Sequence, residues 1–140
     1  MLGGKPLQII TKINYPISIQ QFLKLYKTAN FVQGKWHDDP TRLQAMLDNT
    51  QLTVSLWDGP SLIGLARCLT DFEYTCYLSE IVVHPDYRGR HLGERLIHQI
   101  RAYLGNRVSL ILRADHSAIG FYSKIGLTRV NNLFRIHREA

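Results

Sequence analysis

The residues from Glu80 to Gly93 hold most of the reactive and ligand-binding chemistry in this 140-residue chain. Glu80 stands in a strand-like run, Leu78-Ser79-Glu80-Ile81-Val82-Val83, followed by His84-Pro85-Asp86-Tyr87 and then Arg88-Gly89-Arg90-His91-Leu92-Gly93, which opens an amphipathic helix. A strand that feeds a glycine-containing loop and then a helix is a phosphate-binding geometry. The loop N–H groups can converge, and the helix N-terminus adds about half a positive charge. An anion is the expected ligand. The loop lacks both the Gly-Lys-Ser/Thr ending of a Walker A loop and the three glycines of the dinucleotide fingerprint, which weakens ordinary nucleotide readings. Glu80, a carboxylate among apolar neighbours, reads either as a partly desolvated general base or as one half of an ion pair with an arginine. His84 is a second candidate base, since an imidazole titrates near neutrality; before Pro85 it can equally serve to shape the turn.

The order of apolar strand, His-Pro-Asp-Tyr, Arg-Gly-Arg-x-Leu-Gly and helix resembles motif A of the GNAT superfamily of acyl-CoA-dependent N-acyltransferases. The pattern there is Gln/Arg-x-x-Gly-x-Gly/Ala. A second segment, Asp115-His116-Ser117-Ala118-Ile119-Gly120-Phe121-Tyr122-Ser123-Lys124-Ile125-Gly126-Leu127, resembles motif B, Asn-x-x-Ala-x-x-x-Tyr-x-x-x-Gly-Phe. His91 stands where that family has its first motif glycine, and Asp115 and Leu127 replace Asn and Phe. Within the superfamily, the Leu65-Ala66-Arg67, Ala114-Asp115 and Phe121-Tyr122 stretches are similar to the plant and cyanobacterial arylalkylamine acetyltransferase group.

The resemblance implies an enzyme that moves an acetyl group from acetyl-CoA directly to a primary amine of a small molecule or peptide, within a ternary complex. Backbone groups of Ile81, Val82 and Val83 would line the pantetheine arm, and one of their amides would polarise the thioester carbonyl. Arg88, Gly89, Arg90, His91, Leu92 and Gly93 would hold the pyrophosphate, with Asp115 also at the cofactor. Glu80 would act as base, because an alkylamine of pKa near 10 is only about 0.1% neutral at pH 7, a deficit of roughly 4 kcal/mol. Tyr122 would protonate the leaving thiolate, unless it is a half-buried core aromatic. A CoA-binding sensor or interaction module without turnover is the alternative reading, and a basic nucleic-acid binder is a third.

Composition bounds these readings. The chain carries 17 Lys and Arg against 11 Asp and Glu, a formal charge of +6, and is 45% hydrophobic. One domain with a sizeable core is expected over residues 1–140. The basic residues are scattered without a basic block or an aromatic ladder between them, so nucleic acid is not the expected partner; cofactor phosphates account for part of the charge. No apolar run approaches the roughly 18 residues of a membrane span, and Met1 to Pro6 is short and polar for a leader, which points to a cytoplasmic protein. A homodimer is compatible with this reading. Cys68 and Cys76 form no C-x-x-C and are expected to be reduced and packed, and no histidine spacing supports a metal.

The elements that must position these residues follow from periodicity. Leu7 to Ile13 reads as a strand. Ser18 caps a helix with Ile19, Phe22, Leu23, Leu25 and Tyr26 at helical spacing, and Arg42 to Asn49 reads as a second helix. The segment between them, with Gly34, Trp36 and His37, is either an acceptor-site wall, as the resemblance implies, or a cap on the core. Leu52 to Leu56, Leu62 to Leu69 and Tyr74 to Val83 form an expected antiparallel meander. After the loop, Leu92 to Leu104 forms the central helix, ended by Gly105. Val108 to Leu112 suits parallel pairing across a strand–helix–strand crossover. A short helix from Asp115 or Ser117 to Gly126 follows, and Leu127 to Ile136 is expected to supply closing strands. The whole predicts a mixed, mostly antiparallel α/β (α+β) sheet with helices on both faces, a GNAT-like fold.

Overall fold

The structure, a computed structural model, describes residues 8–31 and 38–139. Five strands, β1 (Ile9–Ile13), β2 (Leu52–Asp58), β3 (Ser61–Thr70), β4 (Thr75–Val83) and β5 (Ser109–Leu112), form one sheet in the order β1-β2-β3-β4-β5. The first four pair antiparallel, and β5 joins β4 in parallel. Among the described residues there are also four α-helices, α1 (Ile19–Thr28), α2 (Pro40–Asp48), α3 (Leu92–Leu104) and α4 (Ile119–Lys124). The mixed sheet with helices on both faces is therefore as expected. Leu7, Gly34, Trp36 and His37 lie outside the described residues.

The caps explain the helix boundaries. Ser18 accepts from the Gln21 amide at 3.1 Å while the Gln21 side chain accepts from the Ser18 amide at 3.0 Å, a reciprocal capping box. α2 starts two residues earlier than expected because Asp39 accepts from the Arg42 amide and Pro40, with no N–H to satisfy, fits the first turn. On one face of the sheet, α3 buries Leu92, Leu96, Ile97 and Ile100 against Leu52, Val54, Leu56, Cys76 and Leu78. On the other, Phe22, Leu25 and Tyr26 of α1 and Leu43 of α2 bury Trp57, Leu62, Leu65 and Val82.

Two irregularities shape β4. Arg67 of β3 opposes Glu80, but Cys68 opposes Leu78, so Ser79 is an extra residue, a β-bulge. The bulge exchanges the faces of the strand: Cys76 and Leu78 before it and Ile81 and Val83 after it all pack with α3, whereas Val82 packs with α1 and Glu80 pairs with Arg67 beside it. The second irregularity is that β4 pairs with β5 only from Thr75 to Leu78, while its pairing with β3 continues to Val83. Ser79 to Val83 thus have one edge to which no described strand is bonded.

The expected closing strands are absent. Residues 128–139 have no regular structure, and Val130, Leu133, Phe134 and Ile136 are 59–100% exposed. Val130, Phe134 and Ile136 have the parity of one strand face, with Leu133 alone on the other, but no described strand pairs with this segment and its apolar side chains stay in solvent. A strand without a bonded neighbour has little stability of its own. The two cysteines are free and buried, as expected. They lie on adjacent strands, and hydrogen bonding to Cys76, followed by burial, pushes the Cys68 thiol well above its usual range.

Candidate active site

The site grows from the end of β4. The His84 amide donates to the Ile63 carbonyl of β3 at 2.8 Å. Successive amides of a strand point to opposite edges. The Val82 amide therefore also faces β3, and the amides of Ile81 and Val83 face the edge left open beyond Leu78. Two of the three residues expected to line the pantetheine arm thus direct donors into that opening, and Val82 contributes its side chain to the core instead.

Beyond the strand, Pro85–Tyr87 makes one 3₁₀ turn. Gly89 then adopts φ +79°, and His91 sits in the left-handed region at φ 58°, ψ 26° as the residue before α3. His91 provides no side-chain cap to the helix, and its side chain is 86% exposed, 3.4 Å from the Glu94 carboxylate. The first-turn amides of α3 are consequently left without an intrahelical or capping partner, the arrangement that binds anions. Gly93 lies against Phe121 of α4: a Cβ built there would meet Phe121 Cζ at 3.4 Å. Val83, Tyr87, Glu94, Phe121 and the Arg88–Gly93 loop apart from Arg90 line a common cavity of about 280 Å³, which connects the end of the β4 edge to the helix N-terminus.

Glu80 lies on the opposite face. Arg67 Nε and Nη2 donate to its two oxygens, each at 2.7 Å, Tyr26 donates at 3.2 Å and Ser79 at 3.1 Å. Arg67 also donates to the Met46 carbonyl and the Thr50 hydroxyl at the end of α2. Both charged side chains are almost fully buried, 6% and 10% exposed. Burial works against the Arg67 charge, but the bonds and charge of Glu80 outweigh it and raise the pKa of the guanidinium. The Tyr26 hydroxyl is pushed well above its ordinary value by burial first and by the Glu80 charge second, so it stays a donor.

His84 is also engaged. Its Nδ1 accepts from the Asp86 amide at 3.1 Å, which fixes the neutral tautomer with the proton on Nε2, and the Asp86 carboxylate lies farther off at 4.0 Å. Tyr122 packs half-buried against the α3-side core and lines a separate, larger concavity of about 1030 Å³ with Leu112 and Ile119. Burial, then the charge of Asp115, raises its pKa. Asp115 is exposed at the start of the 3₁₀ turn His116–Ala118. The structure thus brings Val83 and the Arg88–Gly93 loop together and places Glu80 and Tyr122 outside their cavity.

Sequence reasoning missed three partners: Arg67, Tyr26 and Tyr87. Arg67 could have been found, since an arginine inside the apolar run Ile63 to Leu69 must be buried, and a buried charge requires a partner. Tyr26 looked like one more apolar position of α1. Tyr87 donates to the Asp58 carboxylate at the end of β2, a contact between residues far apart in the chain that no local pattern encodes.

Comparison with known proteins bears on this arrangement. Residues 19–127 match the acetyltransferase (GNAT) family. The chain is 33% identical over 100 residues to the uncharacterized N-acetyltransferase ycf52-like protein of Prochlorococcus marinus, covering 66% of this chain and 56% of that protein. It is 28% identical over 126 residues to the uncharacterized N-acetyltransferase ycf52 of Gracilaria tenuistipitata, covering 83% of this chain and 68% of that one. Among solved structures, the fold is similar to the probable acetyltransferase SA2161 of Staphylococcus aureus, with a TM-score of 0.75 at 23% identity over 94% of this chain and 100% of that one. It is similar also to aminoglycoside N-acetyltransferase AAC(6')-Iy in complex with CoA, with a TM-score of 0.72 at 12% identity over 99% and 100% of the two chains.

Proposed function

This chain belongs to the GNAT acetyltransferase family, and from that premise we propose that it transfers an acetyl group from acetyl-CoA directly to a primary amine of a small molecule or peptide, in a ternary complex. The observation that carries the reading is the junction of an open β4 edge with an uncapped α3 N-terminus across one cavity. The donor types fit acetyl-CoA. Ile81 and Val83 offer amides to the pantetheine arm and one of them to the thioester oxygen. The amides from Gly89 to His91 and of the first turn of α3, with the charges of Arg88 and Arg90, suit a pyrophosphate. Acetyl-CoA supplies the activated acetyl group when bound.

Glu80 takes a structural role in this reading. A carboxylate accepts at about four lone-pair sites, and Glu80 already receives four hydrogen bonds. The one imidazole lone pair of His84 is held by the Asp86 amide. Neither side chain has a free lone pair for the acceptor amine, so its proton passes to water. Tyr122 keeps its proton because of burial and the nearby Asp115 charge, and it delivers that proton to the departing thiolate. Asp115 stands beside the cofactor at the start of the same segment.

Acetyl-CoA should raise the melting temperature by an amount that grows with ligand concentration. A screen of amines, peptides and aminoglycosides then identifies the acceptor, and Tyr122→Phe should lower turnover on it roughly ten- to a thousandfold with acetyl-CoA binding unchanged. Below the acceptor's own pKa, kcat/KM should rise about tenfold per pH unit, following the neutral amine alone. A melting shift with no acetylation of any acceptor would favour the sensor reading.

A further inference from the structure

The loop that faces the open edge carries one anchor that the chemistry above does not use. The Tyr87 hydroxyl donates to the Asp58 carboxylate, and among the described residues this is the one side-chain hydrogen bond that ties residues 85–91 to the sheet. Its ring packs against the α3-side core, meets the His84 ring edge-on at 5.6 Å and lies under the Arg90 guanidinium at 5.5 Å. One phenol therefore touches the strand end, the sheet and a loop arginine.

Resting on the acetyl-CoA reading, we infer that Asp58 and Tyr87 form a latch that holds the phosphate loop in its binding conformation, which makes both of them positioning residues for the donor. The loop reverses direction at Gly89 and at His91, both at positive φ, and most of it is exposed. A segment of that kind loses conformational freedom when it closes on a ligand, and ordering it beforehand strengthens binding. The cation–π contact also holds the Arg90 guanidinium beside the Tyr87 ring. The latch acts only on the phosphate end of the donor, because the amides of Ile81 and Val83 are set by the strand.

The test compares two donors in calorimetric titrations of the intact protein: acetyl-CoA, and S-acetylpantetheine, which lacks the phosphates. Tyr87→Phe and Asp58→Ala should each weaken acetyl-CoA binding about tenfold and leave S-acetylpantetheine binding unchanged. The double variant should be no worse than either single one, as expected for two members of one contact. Tyr87→Phe keeps the ring and should fold; Asp58→Ala, which removes the acceptor and does not alter the ring at all, provides the independent check. A parent-like affinity for acetyl-CoA in both variants, or an equal loss for both donors, overturns the latch. A parent protein that binds the two donors equally overturns the phosphate-loop reading itself, and the latch with it.

Discussion

The two sides of β4 treat polar groups in opposite ways. On the α1 and α2 side, Arg67, Glu80, Tyr26, Ser79 and Thr50 are buried or half-buried and bonded to one another. At the strand's open edge and in the first turn of α3, backbone donors lack protein partners among the described residues, and even the residue before α3 offers no side-chain cap. The contrast separates scaffolding from binding. A buried charge is retained only when every lone pair is occupied, which removes it from chemistry; a ligand site consists of donors whose bonds the fold has left unmade. In the reading proposed above, Glu80, the carboxylate most prominent in the sequence, falls on the scaffolding side.

Substitutions on the two sides should therefore separate stability from binding. The largest effect is expected from Arg67→Ala, which strands the Glu80 carboxylate in the interior and should lower unfolding stability by about 3–5 kcal/mol in urea titration. A loss below about 1 kcal/mol would mean that the pair is not the scaffold described. Gly93→Val should do the reverse: the added side chain meets Phe121 and crowds the first turn of α3, so acetyl-CoA affinity should drop more than tenfold by calorimetry while the domain stays folded. Unchanged affinity would remove this loop from the site.

A smaller effect tests the network through pH. Because the folded pKa of Tyr26 is raised above its unfolded value near 10.0, its contribution is complete below that value and is lost as pH climbs toward the folded one. Between pH 9 and 11 the urea midpoint of the parent should fall more than that of Tyr26→Phe, and parallel curves would show that the phenol does not ionise differently on folding. The smallest effect is expected at His91. Its exposed side chain borders the cavity but caps no amide and lies beside Glu94, so His91→Gly should change acetyl-CoA affinity by less than tenfold while relieving about 1 kcal/mol of left-handed backbone strain. A hundredfold gain in affinity would mark the parent loop as a degraded site.

Most of the sheet was legible because its strands alternate and its turns carry Gly, Pro and Asp, and α1 and α3 because their apolar stripes have helical spacing. The loop was legible because its glycines and arginines are contiguous. Two kinds of information were not local. The occupancy of Glu80 depends on Arg67 from the neighbouring strand and Tyr26 from α1, and only register brings those together. The expected strands after Leu127 rested on the apolar residues there, whereas docking depends on a sheet edge to receive them, and Val130, Leu133, Phe134 and Ile136 stay in solvent.

Ser79 has a consequence that concerns length rather than chemistry. A strand is a two-step cycle, and one extra residue shifts its phase by half a period. Were the strand to straighten with Ser79 retained, Glu80 would fall in step with Cys76 and Leu78, against the greasy flank of α3, and Ile81 and Val83 would turn toward Arg67's side. Loss of Ser79 itself would leave every face as it is, since Glu80 would then follow Leu78 in plain alternation, whereas loss of any one residue from Glu80 to Val82 with the bulge in place would flip those beyond it. Tolerance here is thus set by counting, much as a reading frame is, and a comparison of sequences that places a gap in this stretch anywhere but at the bulge would superpose residues on opposite faces of the sheet.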